Sequence, residues 1–230
     1  MDSTLLVRHR YLVLLVALIA GLVMQMGRVP NAYVRESALS VALVLVFLIV
    51  FDRRAYRTFS LIAGLAVIVA LWSLRLLPGV PRHALEMVVH VGAVLFLGFA
   101  VGVILRHLFE RRAVSIDDIL GTICGYLLAG IAWANLYSAI ELSSPGAFEV
   151  IGPIRSLLAN WYERESLFTY FSLSTLTTIG YGDVTPVAPA ARSAAVLQGV
   201  FGQFYLAVVV AQLVGSKLAE ARARDDSGRR

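Results

Sequence analysis

Ser174-Thr175-Leu176-Thr177-Thr178-Ile179-Gly180-Tyr181-Gly182-Asp183 interrupts an otherwise greasy chain and decides how the rest of it is read. The stretch ends an apolar run over residues 166–182 that is rich in Ser and Thr and closes on two glycines, a tyrosine and an acid. Such a run is a poor lipid-facing helix. Glycine-bearing irregular backbone is tolerated at membrane depth only where protein or a water-filled path surrounds it, so the run reads as a re-entrant segment. Gly180 and Gly182 sit at every second position. Glycine enters the left-handed backbone region cheaply, so this spacing lets successive carbonyls face the same way. From average composition, a window matching Thr-Thr-x-Gly-Tyr-Gly-Asp arises by chance about once in 10⁸. Over 230 residues, coincidence is negligible.

The surroundings fit a membrane. Of the 230 residues, 59% are apolar and 15% charged, against roughly 45–50% and about 25% in soluble domains; mean hydropathy is +0.78. A soluble globule of this length could not hide that surface, which excludes a cytosolic enzyme and a free nucleic-acid binder. Charge-free runs at residues 11–27, 37–51, 58–74, 87–105, 119–140 and 193–216 predict six spanning helices. Arg8, His9 and Arg10 precede the first run as they would a signal peptide, but Leu18 and Leu22 occupy positions a cleavage site needs small, so it reads as a retained helix. Counting Lys and Arg by alternate loops places 13 of the 20 on one side, which predicts that both termini are cytoplasmic. The net charge of +5 is then topological and calls for no nucleic acid. The single cysteine, Cys124, excludes an intrachain disulfide.

From about residue 120 to residue 218, with Thr177–Asp183 as the most specific part, the chain resembles the pore module of the tetrameric potassium channel family. Ile179 in place of the more familiar valine is a conservative variant. The resemblance implies an all-α membrane protein: six transmembrane helices plus a re-entrant pore helix and selectivity-filter loop, assembled as a homotetramer. It implies K⁺ coordination by carbonyls of Thr178, Ile179, Gly180 and Tyr181 and the Thr178 hydroxyl, with Gly182 completing the filter and Tyr181 packed behind it as a strut. Residues 165–176 become the pore helix, residues 119–140 the outer helix and residues 193–216 the inner one. Gly202 falls at the inner-helix hinge position, with Gly199 as its competitor; close helix packing is the plainer role for either. The glutamate that some members carry four residues before the filter threonine is Ser174 here. Tyr170 is therefore the candidate to hold Asp183 from behind, with Ser174 and Thr177 as further filter support.

The first four spans carry less chemistry. Six spans with the pore in the last two is the layout of voltage-gated channels, but the fourth span has no arginine before Arg106 and so lacks gating charges. His83, Glu86 and His90 fall on one face of it, which suggests a proton sensor or a metal site, or more plainly an interfacial polar stripe facing headgroups or a neighbouring helix. Glu141, Glu149, Glu163, Glu165 and Asp183 against Arg155, Arg164 and Arg192 leave the outer mouth at −2 per chain, a sign that concentrates cations; for Glu141 and Glu149 a solvated turret loop is the plainer role. Asp117 and Asp118 lie where a helix N-terminus favours acids.

The expected organisation is a four-helix domain at residues 1–112, a pore domain at 113–218 and a short cytoplasmic tail at 219–230. The expected function is passive, non-enzymatic K⁺ conduction in a plasma membrane, not conventionally voltage-gated. No cofactor beyond the permeant ion is expected, and the partners are the bilayer and further copies of the chain. The alternatives are a weakly selective cation channel and a non-conducting subunit of another tetramer. A transporter with four degenerate pore loops in one chain is disfavoured by the single loop.

Overall fold

A computed structural model describes residues 10–27, 32–50, 58, 61–62, 64–69, 72–73, 82–110, 115–159 and 161–228. The chain is mostly helical: α1 Arg10–Met26, α2 Ala32–Val50, α3 Arg82–Glu110, α4 Ile116–Ser143, α5 Trp161–Leu176 and α6 Pro189–Gly228. Among the described residues, three helices are long and apolar enough to cross a membrane: α3, α4 and residues Pro189–Ser216 of α6. Arg10–Met26 and Ser40–Val50 are shorter apolar helices. The predicted third span is helical at its described residues and lies on α3. There the Phe96 ring would stand 3.3 Å from a Cβ on Gly64, and Val67 3.0 Å from one on Gly92. Many of the arginines behind the predicted orientation, among them Arg8, Arg53, Arg54 and Arg57, lie outside the described residues.

Local chemistry sets the helix ends. Ser115 caps α4: its Oγ accepts from Asp118 N at 3.2 Å, while Asp118 Oδ2 accepts from Ser115 N at 2.9 Å, a reciprocal capping box. Asp117 points instead to α1, where its Oδ1 accepts from Tyr11 N at 3.3 Å. One apolar core joins α1, α2, α3, α4 and α6 around Leu14, Phe96, Cys124 and Leu128. A second, aromatic core underlies the loops flanking α5, with Tyr137 against Phe171 at 4.9 Å and Phe148 against Phe168 at 4.8 Å.

Two features depart from the all-helical expectation. The loops flanking α5 pair as short antiparallel strands, β1 Phe148–Val150 and β2 Val184–Pro186, with Glu149 opposite Thr185. A 3₁₀ helix, Gly152–Ala159, follows β1. The last helix also runs on to Gly228, through most of the segment expected as a separate tail.

Candidate functional site: the re-entrant loop

The helix expected as the pore helix, α5, begins a turn earlier than expected and ends at Leu176. The chain then turns back, its amides satisfied by the last helical turn. Thr178 N donates to Thr175 O at 3.0 Å and Ile179 N to Ser174 O at 2.9 Å, while Gly180 N meets both Ser174 O at 3.3 Å and Ser174 Oγ at 3.1 Å. Ser174 thus supports two successive amides with one residue. Thr177 Oγ1 donates back to Leu173 O at 2.7 Å.

Positive φ recurs at every second residue: Thr178 at 61°, Gly180 at 57° and Gly182 at 80°. Thr178 is the one non-glycine with positive φ among the described residues. A β-branched residue held there costs roughly 1–2 kcal/mol, and such strain collects at functional sites. All six residues from Thr177 to Gly182 are exposed in the single chain.

The far end of the loop is anchored on both sides. Tyr170 Oη donates to Asp183 Oδ2 at 2.8 Å, and Val184 N to Asp183 Oδ1 at 3.1 Å. Ile151 N donates to Asp183 O at 2.9 Å, which continues the β1–β2 pairing. The Tyr181 ring stacks on Tyr170, centroids 5.9 Å apart and 11° from parallel, yet remains 67% exposed.

Beneath the loop lies a buried network that sequence reading missed. Tyr137 Oη donates to Gln198 Oε1 at 2.5 Å, and Gln198 Nε2 donates to Ser172 Oγ at 2.7 Å and Ser172 O at 3.0 Å. Ser172 Oγ donates onward to Gly130 O at 2.6 Å. These bonds tie α4, α5 and α6 together. Tyr126 Oη adds a fourth strut, donating to Leu176 O at 2.8 Å. The only sequence signal was a glutamine inside an apolar helix, where a polar side chain needs a partner.

The hinge candidates separate. A Cβ on Gly202 would lie 2.7 Å from Leu176 O, so this glycine lets α6 approach the end of the pore helix; around Gly199 there is open space. The helix is continuous through both.

The His83, Glu86 and His90 stripe faces the pore module. His83 Nε2 lies 3.1 Å from Leu142 O, Arg164 Nη2 donates to Glu86 Oε2 at 2.6 Å, and His90 contacts Asn135 and Glu165. The three do not converge, and no group of three metal-ligating side chains occurs among the described residues. The outer charge count needs correction too. Glu141 is folded inward, accepting from Gly146 N at 2.8 Å and Phe148 N at 3.1 Å, and Arg164 and Glu165 are engaged with α3. Only Glu149 and Glu163 of the named acids are exposed.

Residues 149–216, from β1 to the end of the apolar part of α6, match the model of the ion channel family. The match supports ion-channel activity and a membrane transport role. No curated protein and no solved structure matches the chain significantly.

Proposed function

We propose that the protein is a potassium-selective channel in which four copies of residues 178–182 close a ring around the permeant ion. The observation that carries the reading is the alternation of positive φ at Thr178, Gly180 and Gly182 within Thr-Thr-Ile-Gly-Tyr-Gly-Asp. A backbone alternating in handedness can aim consecutive carbonyls at one axis, and such a stack of oxygens replaces the hydration shell of K⁺. The Thr178 hydroxyl and the carbonyls of Thr178, Ile179, Gly180 and Tyr181 are the ligands. Conduction proceeds by dehydration and knock-on between neighbouring sites, with no covalent step.

A single chain leaves this loop exposed, as one quarter of a ring must. The apolar part of α6 is also the least covered of the three long spans, 28% buried against 50% for α3 and α4, which suits a helix that packs on other copies. Closed symmetric assembly is the usual solution to such a requirement. The orientation with both termini cytoplasmic puts the loop at the outer face of a plasma membrane. The α3 helix, whose single interior cation near the inner end, Arg106, is paired with Glu110 at 2.6 Å, has no row of gating charges, so conventional voltage gating is not expected.

Purified protein in liposomes tests the reading. A K⁺ gradient should drive flux that a Na⁺ gradient does not, and Ba²⁺ should block it. A well-formed tetramer without K⁺ flux overturns the proposal; equal K⁺ and Na⁺ flux replaces it with a weakly selective cation channel.

A further inference from the structure

The bond from Ile151 N to Asp183 O at 2.9 Å pins the start of the 3₁₀ helix Gly152–Ala159 beside the end of the loop. A 3₁₀ helix has three residues per turn, so Ile154 and Leu157 share one face of it. On α5, Ser166 and Leu167 lie four and three residues before Tyr170 and share its face. The end of α1, at Met26, packs against the same helix. Between these three elements lies a half-open cavity of about 250 Å³, lined by the residues just named and by Asp183.

The lining is chemically divided. Met26, Ile154, Leu157 and Leu167 are apolar. Of the polar members, Tyr170 Oη has committed its hydrogen to Asp183 Oδ2 at 2.8 Å, and Asp183 Oδ1 takes Val184 N at 3.1 Å. A carboxylate offers about four acceptor positions, and a phenol oxygen keeps lone pairs after donating. The pair therefore retains acceptor capacity beside a negative charge, and the Ser166 hydroxyl can accept as well. Among the described residues no cation lines the cavity and none pairs with Asp183. Arg155, next to Ile154, is exposed and stands outside the lining. Apolar walls around unfilled acceptors and a carboxylate fit an apolar body with a charged donor, whose hydrogen bonds are the stronger kind.

We infer that this cavity binds a small aromatic monoammonium molecule, its ring among the apolar residues and its N–H groups on Asp183. A cavity of about 150 Å³ holds benzene, so the volume here suits a ring with a short chain. A zwitterionic lipid head would bring a phosphate beside its ammonium, and like charge against Asp183 is costly; a free ammonium brings none. The occupant uses acceptor positions that Tyr170 and Val184 leave open, so it adds a contact to Asp183 without displacing one. It thereby braces the end of the loop against α1 and the 3₁₀ helix. Binding rests on the cavity alone. Its consequence rests on the channel reading, under which the occupied protein should sustain K⁺ current for longer.

Fluorine NMR of 2-(4-fluorophenyl)ethylammonium with the full chain in phosphatidylcholine nanodiscs tests the site. Saturable binding is expected that empty nanodiscs lack, about tenfold tighter than for 2-(4-fluorophenyl)ethanol, because a charged donor is roughly twice as strong as a neutral one. 4-Fluorophenylacetate should not bind. Met26→Trp and Leu157→Trp, which put an indole into the cavity from two different walls, should each weaken binding by about tenfold or more and keep K⁺ flux. Equal binding of the three probes, or binding unchanged in both variants, overturns the site. Binding that Ba²⁺ displaces and the tryptophans leave intact belongs to the pore and overturns it too. Binding lost on adding phosphatidylethanolamine gives the cavity to a lipid head and overturns the soluble occupant. In planar bilayers the ammonium probe should slow the decay of K⁺ current in the parent and not in Met26→Trp. An unchanged decay in a parent that binds the probe overturns the bracing. Absent K⁺ flux in the parent refutes the channel reading, and the fluorine spectra still decide the site.

Discussion

Gly202→Ala and Gly199→Ala form a pair in which every effect but one cancels. Both positions lie inside the continuous helix Pro189–Gly228, so each substitution gains the same helix propensity, about 1 kcal/mol. They differ in what the new methyl group meets. At Gly199 nothing lies within 4 Å; at Gly202 the Cβ would stand 2.7 Å from Leu176 O, 3.1 Å from Leu176 Cδ1 and 3.5 Å from Leu176 C. The first of these is backbone, at the last residue of the pore helix, and that oxygen also accepts from Tyr126 Oη at 2.8 Å. It cannot move aside as a side-chain tip would. Overpacking of this kind costs roughly 1–3 kcal/mol, which at about 1.4 kcal/mol per tenfold is a factor of about 5–150 in the folding or assembly equilibrium. Thermal unfolding in detergent should place Gly202→Ala well below Gly199→Ala, with Gly199→Ala at or above the parent. Equal stability in the two variants would refute the close approach. A flux assay on the same samples separates packing from hinging. A bend required at position 199 would appear as lost K⁺ flux in Gly199→Ala despite intact stability.

Gln198→Leu strands Tyr137 Oη without its acceptor and takes the donor from Ser172 Oγ, both in buried surroundings. Leaving such a group unsatisfied costs about 1–3 kcal/mol, so a clear fall in the melting temperature of the detergent-solubilised protein is expected, and an unchanged one would contradict the network. Tyr170→Phe removes the 2.8 Å bond to Asp183 Oδ2 while keeping the stacked ring. Sustained K⁺ current should then decay faster than in the parent. Ser174→Ala should do so only weakly, because Gly180 N retains Ser174 O at 3.3 Å.

What sequence reading reaches is what lies close together along the chain. The loop after α5, its two left-handed glycines and the apolar runs at residues 87–105, 119–140 and 193–216 are each carried by consecutive residues; the glycines have positive φ and those three runs are helical, as expected. Thr178 escapes for an instructive reason. Local propensity argues against positive φ at a β-branched residue, yet Thr178 has φ 61°, held between bonds to Thr175 O and from Ile179 N to Ser174 O. Gln198 escapes because its partners lie 61 residues away at Tyr137 and 26 away at Ser172. Glu141 was counted with the mouth charges because a sequence shows a carboxylate's sign but not its direction; it turns inward to cap two amides of the Gly146–Phe148 turn. The β1–β2 pair was hidden because three-residue strands carry too short a pattern to read.

These missed contacts share one target. The pore helix is gripped near its C-terminus by Tyr126, through its middle by Ser172 bonded to Gln198 and Gly130, and toward its N-terminus by Glu86 and His90. Every grip engages α5 from a different height, and α5 in turn carries Tyr170 and Ser174 to the filter backbone. A helix held at three heights cannot tilt without breaking a buried polar contact. Of the three grips, the N-terminal one alone comes from the first four spans, by way of α3. On the channel reading, α3 thus reaches the loop at residues 177–182 through α5 itself, without first bending α6.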